Sequence, residues 1–80
     1  MSFNELQSLF DSKNKIRFKL YSLEYSIEKV DNFIEVYAID YSTRKSRYNS
    51  FKEAMQNFKV YNEPLTAQLD RISIIEKDDE

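Results

Sequence analysis

Eighty residues with 12 Lys and Arg against 14 Asp and Glu give a net charge of −2 and a pI near 5.2, with 41% of positions hydrophobic and 32% charged. That balance is too apolar for intrinsic disorder, the chain is too short for more than one domain, and its acidity gives no global attraction to a phosphate backbone. With no Gly, His or Cys, the chain lacks a Gly-rich phosphate loop, an imidazole base or ligand, and any disulfide or thiolate metal site.

Ser2 followed by Glu5 has capping-box spacing, and Phe3, Leu6, Leu9 and Phe10 recur at helical intervals, which predicts a helix over about residues 3–12. From Lys13 the period changes. Lys13, Lys15, Arg17 and Lys19 alternate with Ile16, Phe18 and Leu20, giving a strand with one basic and one apolar face. Glu24 to Val30 continues the alternation, Asp31-Asn32 supplies a turn in which Asn tolerates positive φ, and Phe33 to Ile39 forms a third strand. Asp40 to Thr43 is polar and turn-like, and Lys45 to Asn49 forms a short fourth strand. Ser50 with Glu53 repeats the capping-box spacing ahead of Phe51, Ala54, Met55 and Phe58, a second helix. Asn62 before Glu63-Pro64 starts a third, with Leu65, Leu69 and Ile72 on one face, while Ile72 to Ile75 also suits a terminal strand. Glu76 to Glu80 has nothing to bury and is expected to fray.

These elements define an α+β fold: an N-terminal helix, an antiparallel β-meander of three or four strands, and one or two C-terminal helices packed on its apolar face. One domain over 1–75 and an acidic end at 76–80 follow. Pairing Val30 with Phe33 sets Ile27 opposite Val36 and Tyr25 opposite Ala38, and pairing Leu20 with Tyr25, the connection being a loop of either two or four residues, extends the same apolar face. The predicted core is Ile16, Phe18, Leu20, Tyr25, Ile27, Ile34 and Val36, covered by Leu6, Phe10, Phe51, Met55, Phe58, Leu65 and Leu69. On the opposite face Glu28 meets Glu35, a like-charge pair that is destabilising alone. The predicted register flanks it with Arg17 on one side and, with Arg47 opposite Tyr37, a basic fourth strand on the other.

That polar face carries the functional expectations. Phe33, Tyr37 and Ile39 lie on it beside Arg17 and Arg47, and Tyr with Arg is a composition typical of interface hot spots, so these five are the candidate protein-binding residues. The implied partner is another protein or a second copy of the chain. Arg44, Lys45 and Arg47 are the alternative, a basic strand that could contact single-stranded nucleic acid beside exposed aromatic rings. Glu28 and Glu35 in the middle of that surface oppose it. A flat sheet gives the two carboxylates no cleft for acid–base catalysis, and a ribonuclease working with Lys, Arg and Tyr in place of His conflicts with the acidic pI. The expected protein is therefore not an enzyme and needs no cofactor or metal. No apolar run approaches the roughly 20 residues of a membrane span and no signal-peptide pattern opens the chain, which suggests a cytoplasmic protein without membrane contact. Abundant Lys, Asn, Ile, Phe and Tyr are a bias associated with AT-rich bacterial or phage genomes.

Overall fold

The computed structural model describes residues 2–41 and 43–75. Helix α1 (Phe3–Lys13) starts where Ser2 Oγ accepts from the Glu5 N–H at 3.1 Å and the Ser2 N–H donates to Glu5 Oε1 at 2.9 Å, the reciprocal box its spacing predicts. It stops at Asn14, whose φ of 60° is left-handed and whose N–H returns to the Phe10 carbonyl. In a chain without glycine, Asn is the residue that takes this geometry at least cost.

Strands β1 (Lys15–Leu20), β2 (Leu23–Val30), β3 (Phe33–Ala38) and β4 (Ser46–Tyr48) form the expected antiparallel meander. A fifth strand lies in the sheet: β7 (Ser73–Ile74) pairs with the free edge of β1, giving the order β4-β3-β2-β1-β7. The β2–β3 register is the predicted one, with Ile27 opposite Val36 and Glu28 opposite Glu35, although Asp31 and not Asn32 takes the positive φ in its turn.

Two registers differ from expectation, each by two residues. Leu20 faces Leu23, not Tyr25, because the β1–β2 turn is the tight pair Tyr21-Ser22, and Arg47 faces Glu35, not Tyr37. A shift of two leaves every side chain on its predicted face, since strand side chains alternate with period two. It changes who neighbours whom. Lys15, not Arg17, now completes the row Lys15–Glu28–Glu35–Arg47 across four strands.

The predicted third helix is not α-helical. Short strands β5 (Lys59–Val60) and β6 (Glu63–Pro64) make a hairpin whose central residues Tyr61 and Asn62 both have positive φ. A 3-10 segment, Leu65–Arg71, follows, kinked at Gln68. Gln68 is fully buried: its Nε2 donates to the Val60 carbonyl at 3.1 Å and the Glu63 carbonyl at 2.9 Å, and its Oε1 accepts from Tyr21 Oη–H at 2.9 Å. Holding those three groups fixes Gln68 at φ −127°, outside helical values, and Ile72 to Ile75 then runs beside β1. The frayed end expected at 76–80 lies outside the described residues.

Helices α1 and α2 (Phe51–Asn57) bring Leu6, Phe10, Phe51 and Met55 onto the apolar sheet face, with the rings of Phe10 and Phe51 stacked at 4.7 Å. All the predicted core residues are buried except Phe58 and Leu69, which are half-buried against the same cluster. Each large side chain fully withdrawn from water stabilises by roughly 1.5–3 kcal/mol before conformational entropy opposes it.

Candidate interaction face

The opposite face of the sheet carries the polar alternates of β1 to β4, and no α-helix among the described residues lies over it. Glu35 is its electrostatic centre. Though on the polar face, Glu35 is only 7% exposed, because Arg47 Nη2 approaches one carboxylate oxygen at 2.7 Å and Lys45 Nζ approaches the other at 3.8 Å. The two cations also cover rings: Arg47 lies 5.1 Å from the centroid of Phe33, and Lys45 lies 4.9 Å from that of Tyr37. Cation–π contacts of this kind are worth about 0.5–1 kcal/mol at exposed sites and hold the long side chains in place. Glu28, across from Glu35, is met from the other side by Lys15 at 3.8 Å. The like-charge pair is thus neutralised from both flanks of the row.

Two residues along the strands, on the same face, Arg17, Ser26 and Tyr37 form the next row. The serine is short between two long neighbours, and the dip it leaves is a shallow cleft of about 320 Å³ lined by Lys15, Arg17, Ser26, Tyr37 and Ile39. Arg17 also reaches Glu24, with Nη2 donating to Oε1 at 3.3 Å. Ser26 itself is 0% exposed. Neither its Oγ nor Nε of Arg17 has a hydrogen-bond partner among the described residues.

The five residues proposed from sequence for protein binding fall on this face, but in two groups. Arg17, Tyr37 and Ile39 surround the cleft, with Ile39 at the start of the 3-10 turn Ile39–Tyr41, while Phe33 and Arg47 form a separate stacked pair. Of the basic trio, Lys45 and Arg47 are engaged by Glu35, and Arg44 lies exposed in the turn before β4 with its N–H on the Tyr41 carbonyl. Sequence reasoning missed Lys15 and Ser26 as members of the site. A small residue in mid-strand between bulky cross-strand neighbours was the available signal for Ser26, and it depends on a register known only to within two residues.

Among the described residues no three His, Cys, Asp or Glu side chains gather to hold a metal ion, and no helix is long and apolar enough to cross a membrane. Comparison with protein-family models, curated proteins and solved structures finds no match for the chain.

Proposed function

We propose that the protein is a small, non-catalytic cytoplasmic interaction or regulatory module that binds another protein through the open sheet face, with Arg17, Phe33, Tyr37, Ile39 and Arg47 as contacts. The observation that carries this reading is the pairing of cations with half-exposed aromatics on a face that no α-helix among the described residues covers, Arg47 with Phe33 and Lys45 with Tyr37. Prearranged aromatic and Arg groups lose little side-chain freedom on docking, which is where interface energy concentrates. The face carries Lys15, Arg17, Lys19, Lys45 and Arg47 against Glu24, Glu28 and Glu35, five cations to three carboxylates, in a chain of net charge −2. Isologous self-pairing would bring two such positive faces together, so a distinct, acidic partner surface fits better than a second copy.

The test is affinity capture with the wild-type chain, then binding of the purified captured protein to Phe33→Ala, Tyr37→Ala and Arg47→Ala variants by calorimetry. A loss of about tenfold or more from at least two of the three is expected for hot-spot residues. Equal affinity across all variants sinks the proposal, and concentration-dependent dimers in sedimentation would move it to self-association. The second reading, single-stranded nucleic-acid binding, is favoured by the exposed Arg44 beside Lys45 and Arg47. It predicts binding of a labelled oligonucleotide that weakens steeply with salt and with Arg44→Ala or Lys45→Ala, whereas a protein contact with an apolar centre persists.

A further inference from the structure

The cleft at Arg17 supports a more specific conclusion, which rests on the interface reading above. Ser26 and Arg17 are cross-strand partners that both line the cleft, and neither the buried Ser26 hydroxyl nor the buried Nε–H of Arg17 has a hydrogen-bond partner among the described residues. Buried polar atoms in folded proteins nearly always find partners, and both the hydroxyl and the Nε–H can donate to a single acceptor brought to this point of the sheet. We infer that the cleft receives the carboxylate of an Asp or Glu side chain from the partner protein.

The chemistry follows from the guanidinium. Nε and Nη2 lie on one edge of its plane and can grip both oxygens of one carboxylate, yet Arg17 spends Nη2 alone on Glu24, at 3.3 Å and half in solvent. An incoming carboxylate takes that edge whole as the Arg17 side chain turns outward and uncovers Nε, Glu24 returns to water, and the Ser26 hydroxyl, uncovered in the same movement, donates to the same group. Lys15 adds charge at the rim and Ile39 offers an apolar wall to the methylenes that carry the carboxylate. Glu24 and Glu28 flank the site, which suits a singly charged carboxylate better than a dianionic phosphate.

The experiment is a titration of the isotope-labelled full chain, followed by amide chemical shifts, with a blocked tripeptide carrying one aspartate between two leucines. The same peptide with asparagine is the control. The aspartate peptide should give saturable shifts at Arg17, Ser26 and Tyr37 and bind about tenfold more tightly than the asparagine peptide, since charge-assisted bonds are the stronger ones. Arg17→Gln and Ser26→Ala should each abolish that preference. Equal responses to the two peptides, or no response, overturn the inference. Shifts confined to Phe33 and Arg47 also overturn it while leaving the face itself as the interface. If the full-length triple variant Asp78→Asn, Asp79→Asn, Glu80→Gln moves the Arg17 and Ser26 amides without any peptide, the chain's own acidic end is the occupant and the partner assignment fails.

Discussion

Replacing Gln68 by Met tests what holds the second half of the chain in place. Met keeps the length and volume of the side chain, so packing survives while three hydrogen bonds are lost. The bond to the Val60 carbonyl is fully buried, that to the Glu63 carbonyl is partly buried, and Tyr21 is 46% exposed, so its hydroxyl can turn to water. Counting about 1–1.5 kcal/mol for each carbonyl left without a partner and a few tenths for the tyrosine gives a loss of about 2–3 kcal/mol. For a domain of this size that is a large share of a total of about 4–12 kcal/mol, and it corresponds to a fall in Tm of about 10–20 °C. Urea and thermal unfolding followed by circular dichroism read it directly, and Tyr21→Phe should cost well under half as much. A double-mutant cycle between the two should give a coupling of about 0.5 kcal/mol. If Gln68→Met stays within about 0.5 kcal/mol of the wild type, the clamp is not what bends the segment out of the α-helix, and the explanation of the missing third helix falls with it.

At the face centre, Glu35→Gln should cost about 1 kcal/mol or less, because both of its cations are exposed and rehydrate, whereas Lys45→Ala with Arg47→Ala should cost about 1–2 kcal/mol by leaving Glu35 opposite Glu28 without its compensating charges and by removing both cation–π contacts. Urea midpoints showing the reverse order would contradict the geometry. Asn14→Ala should destabilise by about 1–2 kcal/mol, while Asn14→Gly is neutral or better, since only the left-handed φ of 60° is at stake. The Glu5 carboxyl is held below its ordinary value of 4.5 chiefly by the Ser2 backbone N–H and then by the Ser2 side chain. Its folded value being lowered, the stabilisation is fully present above that ordinary value and is lost as pH falls through the folded one. Glu5→Gln should flatten that part of an acid-unfolding profile, and an unchanged profile would remove the capping box from the acid response. Burial raises the Tyr25 hydroxyl above 10.0, with Tyr61 adding to it, so the converse holds there: its contribution is present below pH 10.0 and is lost as pH rises through the folded value. Tyr25→Phe should remove that alkaline limb of a stability profile.

Alternation and capping carried most of the fold, because both are local: Ser2 with Glu5, Ser50 with Glu53, and the periods of two and 3.6 each need only neighbouring residues. Register was legible only modulo two. Face assignment survives any even shift, so Arg17, Tyr37 and Arg47 were placed on the correct side while their ion-pair partners were not. Leu65, Leu69 and Ile72 suggest a third helix because they satisfy a helical spacing that a kinked 3-10 segment followed by a strand satisfies as well, and of the two readings open for Ile72 to Ile75 the terminal strand is the one found. What decided between them was Gln68, whose partners Tyr21, Val60 and Glu63 meet only in three dimensions. Positive φ at Tyr21 and Tyr61 was equally invisible. Left-handed tyrosine is disfavoured locally, and it is tolerated here where the two rings pack edge to face at 4.9 Å across neighbouring hairpin tips.

The distribution of restraint across the face bears on where a partner of the proposed kind would exchange contacts. On the β4 side, Lys45 and Arg47 are each held twice, by a carboxylate and by an aromatic ring, and the shorter ion pair there is 2.7 Å. On the β1 side, Lys15 and Arg17 are each held once among the described residues, at 3.8 and 3.3 Å, by carboxylates that are themselves reachable by water. An acidic ligand must displace existing partners before it gains new ones, and displacement is easier where one weak contact is lost than where two cooperate. Within the densest run of basic residues, Lys45 and Arg47 are therefore the better-satisfied cations of the face. The weakly held cations beside Ser26, whose hydroxyl has no partner among the described residues, are where the proposed partner would form new charge–charge contacts at least cost, and the Phe33 and Tyr37 rings of β3 would supply a preformed apolar rim.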